Sequence, residues 1–190
     1  SRGLGDVYKR QGVQLDSLAD VITSGLAPAA VLWQVCLQTE PCWLPEAWKL
    51  GYGVFVLAAF SALRLAKFNI DETQTVEFCG LPTPAGSLLC ASLGMLWQQG
   101  MLALSSDGVL LVAVLTSLLL VSPIRMFALK FHGFGWRGNE VRYLFLLASI
   151  VLIIILRTYA IPVIIVLYIV VSAVRWLCMH SGNPDKAPKA

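Results

Sequence analysis

Two acids, Asp16 and Asp20, stand where an apolar segment begins, in the run G-V-Q-L-D-S-L-A-D from Gly12 to Asp20. Four residues apart, they lie one above the other on a single helix face, and Gly12 falls one turn earlier on the same stripe. Like charges at this spacing repel, and an ionised acid beside hydrocarbon is costly unless something compensates it. A divalent cation would do so, because hard Mg²⁺ or Mn²⁺ binds carboxylate oxygens together with substrate phosphates. The missing Cβ at Gly12 leaves room for a bulky ligand against the backbone. The same spacing serves a plainer role equally well, with Asp16 at a helix start and Asp20 facing water.

A second candidate group ends the next apolar run, S-A-L-R-L-A-K-F-N, with Arg64, Lys67 and Asn69. Arg64 and Lys67 are three apart and share a helix face, so they could receive a phosphate or carboxylate, Arg as a planar fork and Lys as a point charge. The alternative is snorkelling, in which basic residues at a helix end only anchor it among headgroups. The loop that follows closes with C-G-L-P-T-P-A, whose prolines stiffen the start of the third apolar run, as a cavity wall or as a plain helix start. A basic and aromatic stretch from Ser122 to Tyr143, with Arg125, Lys130, Arg137 and Arg142 among five aromatic residues, reads as an interfacial anchor.

The elements that carry these groups follow from composition. Of 190 residues, 57% are hydrophobic and 13% charged, with a mean hydropathy of +0.74, against about 25% charged in a soluble domain. That excludes a water-soluble globular domain. A net charge of +3 does not indicate a nucleic-acid partner, because the basic residues are spread thinly between apolar runs. Apolar runs at about 14–36, 50–68, 84–104, 108–128, 141–157 and 159–178 predict an all-α, polytopic membrane bundle of about six transmembrane helices. The last two must turn back at Arg157 and Thr158, since one continuous helix would reach about 57 Å, nearly twice the hydrocarbon thickness. Small residues Gly86, Ser87, Ala91 and Gly94 would allow close helix approach.

Six spans put the N-terminus, the 65–83 and 125–142 loops and the C-terminal tail on one side. That side holds 12 of the 14 basic residues, leaving only Lys49 and Arg157 opposite, and the positive-inside rule makes it cytoplasmic. The five cysteines lack metal-site spacing and read as small apolar residues, with a disulfide between Cys36 and Cys42 open in an oxidising compartment. His132 and His180 stand alone at membrane edges as solvated polar residues.

The run from Gly12 to Asp20 resembles the second half of the CDP-alcohol phosphatidyltransferase signature, D-x2-D-G-x2-A-R-x8-G-x3-D-x3-D, with Gly12, Asp16 and Asp20 at its last three fixed positions. S-L-A-D-V-I-T-S-G-L-A-P-A, R-L-A-K-F-N and F-C-G-L-P-T-P-A are similar to the phosphatidylserine synthase branch. The likeness runs from Gly12 to about Tyr143. The signature's Arg would fall at Gly3 and its first two acids before Ser1. Residues 1–11 are therefore expected to be a non-native or misread segment, 12–178 a partial transmembrane domain lacking about two earlier helices, and 179–190 a disordered cytoplasmic tail.

What the resemblance implies is transfer of a phosphatidyl group from CDP-diacylglycerol to L-serine, releasing CMP, in a bacterial or archaeal inner membrane with the active face cytoplasmic. The fragment itself is expected to be inactive. By position, Asp16 and Asp20 are metal ligands for Mg²⁺ or Mn²⁺, Asp20 is also the general base, and Gly12 makes room for the nucleotide. Arg64, Lys67 and Asn69 are candidates for the serine carboxylate or a phosphate. Membrane lipids and a second copy, as a homodimer, are the expected partners. The alternatives are another acceptor alcohol, such as glycerol phosphate or inositol, and a small cation transporter using the two acids.

Overall fold

The computed structural model describes residues 2–43, 47–70, 77–127 and 139–181. The first long helix combines α1 (Arg2–Val21), a single π-helical turn (Ile22–Leu26) and α2 (Ala27–Gln38). A 3-10 segment (Ala47–Phe55) leads into α3 (Val56–Ile70), and then come α4 (Thr83–Gln98), α5 (Ser106–Val121), α6 (Glu140–Leu156) and α7 (Ala160–Ser181). Helix α1 begins at Arg2 and α7 ends at Ser181.

Local chemistry sets the helix ends. Ser105 caps α5 by accepting from the Gly108 amide at 3.2 Å, and Asp107 supplies negative charge in its first turn. At the end of α4, Gly100 adopts φ +67 while its amide bonds to Trp97 O and that of Met101 to Leu96 O, a Schellman closure. Hydropathy continues past both helices, yet α4 stops at Gln98 and α5 stops before Ser122 and Pro123, each 16 residues long. Such helices measure about 24 Å, short of the hydrocarbon thickness of about 30 Å.

The fold is all-α and membrane-type as expected, but length and apolarity do not bear out the count of six spans. Among the described residues, three stretches qualify to cross a membrane: Gln11–Gln38, Gly51–Asn69 and Glu140–Cys178. The third folds back on itself, as its length requires. Arg157 breaks it with φ 48, and Phe145 of α6 meets Tyr168 of α7 at 5.9 Å between ring centroids, each about equally far from the turn.

A two-stranded antiparallel ladder joins β1 (Glu77–Cys79) to β2 (Arg125–Phe127), pairing Phe78 with Met126. Periodicity did not foretell it. The ladder and an Asn69 Nδ2 bond to Ser17 Oγ at 2.8 Å gather the loops at the end of the bundle that carries the acids. At the other end, Ser106 N bonds to Glu40 O and the Tyr159 hydroxyl to Met101 O at 2.7 Å. This sorting of loops is what up-and-down alternation requires.

The core runs through both halves. Leu32, Val35, Cys36, Leu57, Val109 and Ala113 join α2, α3 and α5, while Phe127, Phe145 and Tyr168 form an aromatic trio between β2, α6 and α7. Gly86 faces Thr116 of α5 and Gly94 faces Val31 of α2, so these two of the four expected small residues do carry close helix contacts. None of the five cysteines is in a disulfide: Cys36 is buried with its thiol toward Ser106 O at 3.9 Å, and Cys42 is exposed.

Candidate functional site

The acids sit in the last two turns of α1, just before the π-helical turn. Counting back from Gln38 at about 1.5 Å per residue, Asp20 lies about 27 Å and Asp16 about 33 Å along the axis, so they bracket one edge of a hydrocarbon layer of about 30 Å. Asp16 is exposed and Asp20 half-buried. Gly12, a turn earlier, is exposed, and a Cβ built there would meet nothing within 4 Å.

The inward stripe of this helix, Ser17, Asp20, Ser24 and Gly25, packs on α3. The closest approach is at Gly25 in the π-helical turn, where an added Cβ would stand 2.9 Å from Ser61 Cβ and 3.2 Å from Ala58 Cα. Backbone contact this tight sets the spacing of the two helices that carry Asp20 and Arg64. One turn beyond Ser61, Arg64 comes within electrostatic reach of Asp20 and of Tyr168 on α7.

Arg64 is the buried member of the basic pair, 8% exposed. Its Nη1 donates to Thr83 Oγ1 at 3.3 Å, its guanidinium lies 5.8 Å from the Phe68 ring centroid, and its Nε is buried without an acceptor among the described residues. Lys67 and Asn69 are exposed at the helix end. Asn69 ties α3 to α1 through Ser17, next to Asp16. The structure therefore brings Asp20, Arg64 and the Asn69 tie together, while Gly12 and Lys67 stay on the periphery.

Thr83 is the residue that sequence reasoning passed over. It was legible only as part of a stiff proline-bounded helix start. In the fold, Gly80 takes φ +76 where a Cβ would collide with the Leu120 carbonyl, and Gly80 N and Leu81 N bond to Ile124 O and Leu119 O at 2.9 Å. That anchoring delivers Thr83, 2% exposed, to Arg64.

As metal ligands, Asp16 and Asp20 offer hard oxygen donors on one stripe, a donor set that suits Mg²⁺ or Mn²⁺. Among the described residues no cluster of three or more His, Cys, Asp or Glu forms, so these two acids supply only part of a coordination shell. Of the basic and aromatic stretch, Lys130, Phe131, His132, Phe134, Trp136 and Arg137 lie outside the described residues, as do residues 182–190 of the tail. Arg142 is buried and donates from Nη1 to Asn139 Oδ1 at 2.7 Å, a structural contact rather than a lipid-facing one.

No family model matches the chain. Among curated relatives, the CDP-diacylglycerol--serine O-phosphatidyltransferase of Mycobacterium tuberculosis is 34% identical over 201 residues, covering 97% of this chain and 67% of the relative. The protein of the same name from Bacillus subtilis is 31% identical over 122 residues, 64% of this chain and 62% of the relative. That of Helicobacter pylori is 29% identical over 179 residues, 92% of this chain and 71% of the relative. The chain thus spans about two thirds of the length of these relatives. With a third of its residues shared across nearly its whole length, and with an acid pair at the edge of a helical membrane bundle, the chain belongs to the CDP-diacylglycerol--serine O-phosphatidyltransferase family.

Proposed function

We propose that this protein transfers a phosphatidyl group from CDP-diacylglycerol to the hydroxyl of L-serine, giving phosphatidylserine and CMP, at the cytoplasmic face of a bacterial or archaeal cell membrane. The observation that supports this reading is the placement of half-buried Asp20 within electrostatic reach of the buried Arg64 guanidinium across the α1–α3 contact. One group accepts a proton and the other an anion, on neighbouring helices at the depth where a lipid headgroup lies.

In this reading Asp16 and Asp20 would hold a divalent cation as hard oxygen donors. When bound, such an ion neutralises charge on the attacking and leaving oxygens. Asp20 takes the serine hydroxyl proton as that oxygen forms a bond to the phosphorus bearing diacylglycerol. The bond from that phosphorus to the bridging oxygen breaks, and CMP leaves with the electron pair. Gly12 lets the nucleotide lie against the backbone, and Arg64 holds an anionic group of a substrate. Lys67 at the exposed helix end attracts anionic headgroups, while Asn69 fastens α3 to α1.

The test is CMP release by purified protein supplied with CDP-diacylglycerol and, separately, L-serine, glycerol phosphate or inositol, with Mg²⁺ or Mn²⁺ and again with EDTA. Release with serine, abolished by EDTA and restored by either metal, is expected. Faster release with another alcohol would reassign the acceptor. Cation flux in vesicles without CMP release would replace the enzyme reading with that of a transporter.

A further inference from the structure

Arg64 is held in an unusual way for a helix-end cation. Its guanidinium is nearly enclosed, its Cζ stands over the Phe68 ring at 5.8 Å from the centroid, and among the described residues it makes one hydrogen bond, from Nη1 to Thr83. In a guanidinium, Nε–H and one N–H of Nη2 point in parallel along one edge, whereas Nη1 lies on the opposite side. Tethering Nη1 therefore leaves the two-donor edge to other partners, and Nε on that edge is buried with no acceptor among the described residues. A buried cationic donor without an acceptor is costly, and a site that retains one has a partner still to come. The Tyr168 hydroxyl within electrostatic reach donates to Phe127 O at 3.0 Å and accepts nothing from Nε.

We infer that Thr83 is a positioning residue, whose hydroxyl clamps Nη1 so that the Nε–Nη2 edge of Arg64 is presented to a pair of anionic oxygens on a substrate. Thr83 suits this task because its backbone is anchored. It opens α4 between Pro82 and Pro84, and the two residues before Pro82 are bonded to backbone carbonyls at and beyond the end of α5. A rigid acceptor fixes which edge faces outward. A flexible acceptor would let the guanidinium turn within its slot and lose the parallel pair of bonds. The inference rests on the proposed role of Arg64. A planar carboxylate and a phosphate both offer the required oxygen pair, so the amino acid and the nucleotide lipid are two sources of the same chemistry.

The test compares Thr83→Val, Thr83→Ser and Arg64→Lys in the full-length protein, with kcat and separate KM values for serine and for CDP-diacylglycerol. Thr83→Val should raise one KM about tenfold, the size expected for a charge-assisted bond, with kcat unchanged within about twofold. Thr83→Ser should restore that KM, and Arg64→Lys should raise the same one. A shift in the serine KM identifies the carboxylate as the bound group, and a shift in the CDP-diacylglycerol KM identifies the diphosphate. If Arg64→Lys raises a KM and Thr83→Val does not, positioning by Thr83 is overturned while the role of Arg64 stands. If Arg64→Lys changes neither KM, the role of Arg64 falls too. A Thr83→Ser protein as impaired as Thr83→Val would also overturn the inference, since the hydroxyl would not be the agent. Thr83→Ala takes the place of Thr83→Val if the latter does not give monodisperse protein.

Discussion

Gly25→Ala tests whether helix spacing sets the site. The new Cβ would lie 2.9 Å from Ser61 Cβ and 3.2 Å from Ala58 Cα, atoms on or beside the α3 backbone that no rotamer change can move. Carbon atoms prefer about 3.5 to 4 Å, so the two helices must part by about 0.6 to 1 Å. Overpacking of this kind costs about 1 to 3 kcal/mol, offset by about 1 kcal/mol because Ala is the better helix former. The net loss of about 0 to 2 kcal/mol would lower Tm by no more than about 8 °C. Activity is the more sensitive readout, because a misplacement near 1 Å between reacting groups can cost about a hundredfold. We expect kcat/KM for CMP release to fall about tenfold to a hundredfold in a protein that still folds. Ser61→Gly removes both nearest side-chain atoms, and Ser61 Oγ has no hydrogen-bond partner to lose. The Gly25→Ala/Ser61→Gly double variant should therefore regain most of the activity. A fully active Gly25→Ala protein, or a double variant no better than the single one, would refute the link between helix spacing and chemistry.

Two further substitutions separate structure from function. Asp107 Oδ2 accepts from the amides of Cys42 at 2.9 Å and Trp43 at 2.7 Å, at the end of the bundle far from the acids. Asp107→Ala should cost about 2 to 4 kcal/mol, a Tm drop of about 4 to 16 °C by thermal scanning, with both KM values unchanged; altered KM values would couple the two ends of the bundle. Gly80→Ala combines an unfavourable positive φ with a collision against the Leu120 carbonyl, and should destabilise by about 2 to 5 kcal/mol. A Gly80→Ala protein with parental Tm would show that the turn before α4 can rebuild itself.

The acid pair, the helical class and the reversal at Arg157 were legible because each is a local property of spacing, composition or length. Asp16 and Asp20 announce themselves by being charged at the head of an apolar run, and 38 apolar residues cannot run straight through one bilayer. The ends of α4 and α5 were misjudged for the opposite reason. Met101–Leu104 are apolar, as are Ile124, Met126 and Phe127 around Arg125, but Gly100 in the left-handed region and Pro123 stop the helices first. Hydropathy has no term for backbone geometry. Thr83 and the β1–β2 ladder were hidden because they depend on partners 19 and about 50 residues away, and no periodicity marks which distant segment a short strand or a lone hydroxyl will meet. Arg64 and Lys67 share a helix face by spacing, yet only Arg64 is buried, since α4 and α7 close over one and not the other.

The central claim is that the acid pair does the chemistry, and Asp20→Asn tests it most directly. The substitution keeps the shape of the side chain while removing the charge and the proton acceptor. With CDP-diacylglycerol, serine and saturating Mg²⁺ or Mn²⁺, the full-length Asp20→Asn protein should release no CMP above background while still binding the nucleotide lipid in part. CMP release at the parental rate would contradict the account.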